Sequence, residues 1–351
     1  MARPAKWFDT ARQPHRRFNP LAREWILVSP HRTMRPWQGQ VETTAPQNEV
    51  EYDPTCYMCP GNTRSTGNVN PRYQSVFVFD NDFPALLPGG EHGCINESGL
   101  LVAETETGVC RVLCFSPKHN LTLARMQPAE IRAVVDCWAE LFQELGERTD
   151  INYVQIFENR GAMMGASNPH PHCQIWSTAT IPNIPSTEQE SQLAYRNANG
   201  ACLLCDYYRL EKSAATRSVI ENDYFLALVP YWAVWPFETM ILPHRHVGGI
   251  DEFNSAERDA LCDVLKRLTV RYDNLFETSF PYSMGFHQRP TDGERHPEWH
   301  FHAHFFPPLL RSATVRKFMV GFELMDMPQR DITAETSAER LRAASDTVPQ
   351  R

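Results

Sequence analysis

The chain has 351 residues, enough for one large or two medium domains with a substantial core. At 42% hydrophobic and 22% charged residues, its composition argues against long disorder. A formal charge of −8 counts against general nucleic-acid binding, which needs a basic surface, and leaves room only for a local basic pocket.

Residues 1–50 read as an irregular arm. Its opening, "MARPAKWFDTARQPHRRF", is basic but lacks a following apolar run, so no signal peptide is expected. Next comes "CYMC" (56–59), a Cys-x-x-Cys pair. The runs "VFVFDNDFPALL" (76–87) and "RVLCFSPKH" (111–119), rich in Val and Phe and punctuated by Pro, Asn and Asp, predict strands. In "QPAEIRAVVDCWAELFQELGER", Ile131, Val134, Val135, Trp138, Leu141, Phe142 and Leu145 recur at helical spacing, and Pro128 suits the first turn. The strand "HPHCQIW" follows.

The same parts then return in the same order. "CLLC" (202–205), "ENDYFLALVP" (221–230) and "ETMILPHRH" (238–246) precede a helix. Its stripe is Leu261, Val264, Leu265, Leu268, Tyr272 and Leu275, behind Asn254 and Glu257 spaced as a capping box. "WHFHAHFFPP" follows, and residues 331–351 read as a polar helix and tail. The repeat sets Asp82 and His172, 90 residues apart, against Asp223 and His304, 81 apart. This predicts two diverged α+β units with mostly antiparallel sheets joined edge to edge. The most apolar stretch, residues 224–243, is broken by Pro230, Pro236 and Glu238, which suits core strands better than a membrane span. Ten cysteines without a signal peptide point to reduced thiols and metal binding in a cytoplasmic enzyme.

In an extended strand alternate residues share a face, so His170, His172, Gln174 and Trp176 are expected together. His300, His302 and His304 fall together in the same way. One histidine on a strand face is ordinarily a core residue; repeated sets in both halves point to metal or catalytic use. Cys56 and Cys59 need two further ligands for a tetrahedral zinc, and His119 and His170 are the candidates, against a redox role for the thiols. A neutral imidazole at His172, its other N–H held by the carbonyl of residue 170, is a competent nucleophile toward phosphorus. Gln174 can donate a hydrogen bond to the phosphoryl oxygens.

The segments "YDPTCYMCPGNTR", "IFENRGAMMGASNPHPHCQ", "PYWAVWPFETMILP" and "WHFHAHFFPPLLRSATVRKFMVGFE" resemble the galactose-1-phosphate uridylyltransferase family, a duplicated branch of the histidine-triad superfamily, over about residues 20 to 345. The resemblance implies two histidine-triad-like domains, 1–195 with the N-terminal arm and 196–351, their sheets joined into one half-barrel with packed helices. It makes His172 the nucleophile, supported by Gln174 and Ser167. UMP would pass from UDP-glucose to galactose 1-phosphate through a uridylyl-histidine, with ping-pong kinetics. The implied zinc ligands are Cys56, Cys59, His119 and His170. Asn81 and Asp82 correspond to the uridine end; Asn159, Gly165, Ala166 and Ser167, with Arg32 and Arg35 of the arm, to the phosphates. Lys317, Phe318, Phe322, Glu323 and Gln329 correspond to the hexose end. Phe322 stands where many members have Tyr, and Ser65 replaces a more apolar residue near the uridine.

For a second site, of iron or zinc, the resemblance implies Glu188, His287, His302 and His304. The internal repeat suggests the alternative of Cys202, Cys205, His246 and His302. A homodimer with shared active sites is also implied, with no nucleic-acid or membrane partner. The nearest rival activity is a nucleotide-sugar phosphorylase or hydrolase of the same superfamily; a non-enzymatic zinc module is the rival of another class.

Overall fold

The structure, a computed structural model, describes residues 8–35, 50–90 and 93–348. Part of what the sequence presents as an irregular arm is a hairpin, β1 (His15–Asn19) and β2 (Glu24–Val28), followed by a 3-10 turn. Asn19 closes the turn of this hairpin by accepting from the Leu21 backbone N–H. The first half continues with β3 (Phe77–Asp80), the exposed hairpin β4 (Cys94–Glu97) and β5 (Leu101–Glu104), β6 (Gly108–Cys114), α1 (Pro128–Gly146), β7 (Tyr153–Arg160) and β8 (His172–Thr178). Helices α2 (Asn183–Asn199) and α3 (Leu203–Ala214) lead into β9 (Ser218–Glu221), β10 (Phe225–Leu228), β11 (Thr239–Pro243), α4 (Ser255–Leu275), β12 (Tyr282–His287) and β13 (His302–Phe306). The chain ends in α5 (Phe322–Met325), β14 (Gln329–Arg330) and α6 (Ala334–Ala343).

One sheet of nine strands runs β3-β6-β8-β7-β12-β13-β11-β10-β9. All its pairings are antiparallel. The halves meet where β7 pairs β12, in register from Tyr282 with Arg160 to Phe286 with Ile156. Outward from this seam, β7-β8-β6-β3 mirrors β12-β13-β11-β10, the two-fold order that a repeated unit produces when joined along one strand. The sheet stays open, with β3 and β9 at its edges.

Strand alternation sorts the two faces. Val154, Ile156, Cys173, Ile175, Met284, Phe286, Ala303 and Phe305 point to one side and form a single buried cluster with Trp138 and Phe142 of α1 and Leu265 and Leu268 of α4. Both helices begin as their sequences require: Glu130 accepts from the Gln127 backbone N–H, and Asn254 and Glu257 complete a reciprocal capping box. On the opposite face, Leu226, Leu228, Met240 and Leu242 pack against Leu203 and Leu204 of α3 and Ile26 and Val28 of β2. At the other end of that face, Val112 and Cys114 pack under Cys56, Met58, Cys59 and Tyr73. Between these two covers lies a stretch of sheet lined by polar side chains, among them His172, Gln174, His287, His302 and His304. No described helix is long and apolar enough to cross a membrane.

Candidate active site and metal clusters

Pro169 and Pro171 have no N–H to give a ladder, and β8 accordingly begins at His172. Cys173 and Ile175 point to the helices, leaving His172, Gln174 and Trp176 on the open face. His172 Nδ1 lies 2.7 Å from the His170 carbonyl. A carbonyl can only accept, so Nδ1 carries the proton and Nε2 presents a lone pair. Burial lowers the His172 pKa, opposed in part by that backbone bond, which keeps the ring neutral near pH 7.

The pocket beside His172 is lined by Asn159, Gly165, Ala166, Ser167 and Gln174. Its floor is a tight turn after β7, where Gly161 and Gly165 adopt φ of 84° and 77°. A side chain is disfavoured at both positions, and the turn exposes backbone to a ligand. Gln174 accepts from Trp176 Nε1 at 2.9 Å, which fixes its carboxamide and leaves its N–H groups for an incoming oxygen. Asn159 accepts from the Ser283 hydroxyl at 2.6 Å, so the second half braces the first half's pocket across the seam.

Under this pocket, Cys56, Cys59, His119 and His170 converge, all buried. Cys59 Sγ lies 3.6 Å from Nδ1 of both His119 and His170. His170 Nε2 donates to the Ser116 carbonyl at 2.9 Å, which turns the Nδ1 lone pair toward the thiols. Burial pushes the Cys59 thiol up to about 11, so a thiolate here calls for a cation beside it. Burial, then His119, lowers the His170 pKa to about 4, which keeps the ring in the neutral, ligating form. The donor set fits a tetrahedral ion.

A second cluster joins Glu188 on α2 to His287 on β12 and His302 and His304 on β13. Glu188 Oε2 is 2.8 Å from His287 Nδ1 and 3.2 Å from His302 Nε2. Burial alone would push the Glu188 carboxyl up; His287 and His302 outweigh it and hold the group well below its usual range. Both ring nitrogens of His304 are buried without a hydrogen-bond partner, and burial followed by His287 holds its pKa well below 6.5. An orphaned neutral imidazole facing a carboxylate and two more imidazoles fits a divalent cation.

Two expectations need correction. The glutamate–histidine set and the cysteine set are not alternatives: both are assembled, and they share no residue. The histidine that joins Cys202, Cys205 and His246 is His300, not His302. The internal equivalence shifts with it. His302 Nδ1 bonds the His300 carbonyl at 2.9 Å just as His172 bonds that of His170, so His302, not His304, is the counterpart of His172.

The remaining candidates form two further groups. Asp82 pairs with Arg64 at 3.3 Å and accepts from Thr66, while Asn81 accepts from the Phe83 backbone N–H. Lys317 contacts Glu323 and donates to the Gln329 carbonyl at 2.8 Å; Gln329 reaches Asp331, which pairs with Arg32 at 3.1 Å. The Arg35 carbonyl accepts from Arg311, and Phe318 and Phe322 are exposed. Neither group lines the His172 pocket within this chain. Sequence reasoning missed Asn168, Ser116 and Tyr73, which hold the first cluster from outside. Asn168 lies within "SNPHPH" and Ser116 within "FSPKH", both within reach of a motif; Tyr73 comes from a segment without one.

A neutral imidazole with one nitrogen tethered and the other free, in a polar pocket over a Cys/His cluster on a two-fold repeated sheet, is an arrangement chemically suited to group transfer. Residues 4–182 match the galactose-1-phosphate uridyl transferase N-terminal domain, and residues 188–350 match its C-terminal domain. The chain is 50% identical to a galactose-1-phosphate uridylyltransferase of Haemophilus influenzae, covering 97% of each chain. It is also 50% identical to the enzyme of that name from Rattus norvegicus, over 96% of this chain and 89% of the other. A solved uridylyltransferase structure superimposes with a TM-score of 0.74 at 26% identity, covering 95% of this chain and 98% of that one. The chain belongs to the galactose-1-phosphate uridylyltransferase family.

Proposed function

We propose that this nucleotidyltransferase moves a uridylyl group from UDP-glucose to galactose 1-phosphate through a covalent bond to His172. The observation that carries the reading is the His172 ring itself: Nδ1 held by the His170 carbonyl at 2.7 Å, Nε2 free at the mouth of the pocket. In the first step the Nε2 lone pair attacks the α-phosphorus, and the bond to the bridging oxygen breaks, releasing glucose 1-phosphate. Positive charge on the ring is stabilised by the Nδ1–H bond to His170. Gln174 N–H groups and the Gly165–Ser167 turn donate to the phosphoryl oxygens as charge shifts onto them. In the second step a phosphate oxygen of galactose 1-phosphate attacks the same phosphorus, the P–N bond breaks, and the neutral imidazole returns. Two substrates using one nitrogen in turn imply ping-pong kinetics.

Zinc bound by Cys56, Cys59, His119 and His170 would anchor His170, and through its carbonyl the nucleophile; zinc or iron suits Glu188, His287, His302 and His304. Asn81 and Asp82 are assigned to the uridine end and Arg32 and Arg35 to the phosphates. Lys317, Phe318, Phe322, Glu323 and Gln329 are assigned to the hexose. Two features support a homodimer that shares its sites: the hexose group stands apart from His172, and apolar Met34, Val320, Leu324 and Met325 are exposed around it. Division into units 1–195 and 196–351 follows the internal repeat, with α2 bridging them. Ten unpaired cysteines suit a reducing, cytoplasmic setting.

Intact-protein mass spectrometry tests the reading. UDP-glucose should add one uridylyl group, mapped to His172, and galactose 1-phosphate should remove it. His172→Ala should take no adduct and lose essentially all transfer with its metal content unchanged. An adduct elsewhere, or discharge by inorganic phosphate in preference to galactose 1-phosphate, would overturn it.

A further inference from the structure

Cys202, Cys205, His246 and His300 take no part in the chemistry above, yet they are brought together from three separate segments. Cys202 caps α3, and its sulfur accepts from the Cys205 backbone N–H at 3.4 Å. Cys56 accepts from the N–H one position earlier in its turn, that of Met58, also at 3.4 Å, so each half opens a Cys-x-x-Cys knuckle in which a backbone N–H bonds to sulfur. His246 follows β11, and His300 precedes β13. Cys205 Sγ is 3.5 Å from His246 Nδ1 and 3.6 Å from His300 Nδ1, and the two Nδ1 atoms are 3.2 Å apart.

These three distances match edges of a metal tetrahedron. Bond lengths of about 2.3 Å to sulfur and about 2.05 Å to nitrogen give edges of about 3.6 Å between S and N and about 3.3 Å between two nitrogens. Each spacing alone is also within hydrogen-bond range; all three together match one tetrahedral ion. The outer contacts agree. His300 Nε2 faces the Pro243 carbonyl at 3.3 Å, which keeps the proton there and turns Nδ1 inward, as the Ser116 carbonyl does for His170.

We infer that Cys202, Cys205, His246 and His300 bind a tetrahedral divalent cation of the zinc class, as a third metal site that coexists with the Cys56 and Glu188 clusters. The site is structural: four protein ligands leave no open position. It ties the α2–α3 junction to the ends of β11 and β13. It also braces the Glu188 cluster, because the His300 carbonyl orients His302 at 2.9 Å, and the His300 N–H donates to Gln192 on the same helix as Glu188. The inference is independent of uridylyl transfer, which the adduct on His172 reports separately.

Elemental analysis of the full-length protein, expressed with zinc present and purified without chelator, should find three metal ions per chain. Cys202→Ser combined with Cys205→Ser should leave two. Two ions in the unmodified protein, or an unchanged count in the double variant, overturns the inference. So does a disulfide between Cys202 and Cys205 in the freshly isolated protein, which would make the pair a redox couple. Should the double variant fail to fold, cobalt replacement of the unmodified protein decides. Three sites predict thiolate-to-cobalt absorption from four sulfur ligands per chain, and absorption from only two rejects the third site.

Discussion

At the scale of single residues, the Cys56–Cys59–His119–His170 cluster is held by groups outside its four donors. Asn168 is buried, accepts from the His170 backbone N–H at 2.9 Å and lies 3.4 Å from Cys56 Sγ. Asn168→Ala should therefore weaken metal retention at this cluster by about 10- to 100-fold, a usual range for such outer contacts. Competition with a chelator measures it, and unchanged retention would show that Asn168 only fills space. The tethered ring of His172 and the convergence of Cys56, Cys59, His119 and His170 were legible because these residues lie in short motifs whose spacing limits the side-chain direction. The second half shows the limit of that reasoning. His300, His302 and His304 share a strand parity, yet His300 precedes β13 and turns to the cysteines while the other two face Glu188. Alternation gives a common side but not the neighbour across it.

At the scale of elements, α1 and α4 were legible because a strong apolar stripe and end caps agree. Helices α2 and α3 were not. Helix α2 buries few residues, among them Glu188, Ser191 and Gln192, so polarity hides its inner face. The hairpin β1–β2 was also missed, since its partner β14 lies some three hundred residues away and pairs with β2 in parallel. An ion-pair group fastens this hairpin to the C-terminal helix. Arg17 meets Glu335 through two bonds of 3.0 and 2.9 Å, and Arg217 joins at 2.8 Å. Burial alone would push the Glu335 carboxyl up, but the two guanidinium groups outweigh it and hold it at about 2. A depressed carboxyl stabilises the fold fully above its unfolded value near 4.5 and loses that contribution as pH falls toward 2. Glu335→Gln should thus be less stable than the parent at pH 7, with the gap closing between pH 4.5 and 2. Urea midpoints across that range check it; a gap constant with pH would mean that packing, not charge, accounts for the loss.

At the scale of the whole molecule, the repeat was legible as an order of parts, but the seam that joins them was not. The β7–β12 pairing links strands more than a hundred residues apart, and the helix-side core runs unbroken beneath it, with Trp138 of the first half 5.0 Å from Phe286 of the second. The two halves should consequently unfold as one cooperative unit. Calorimetry of the metal-loaded protein should give one transition, and stripping the metals should move it to lower temperature without splitting it. Two resolved transitions would show that the halves are held separately.

That seam has an evolutionary consequence. If two identical polypeptides met along this strand pair, any acid acquired opposite His302 would stand opposite His172 as well, and a carboxylate there would repel an anionic phosphate. Covalent linkage frees the copies to differ. Glu188 sits against His302 in one half, while its counterpart His172 keeps a neutral mouth in the other, and inheritance can tend each side separately.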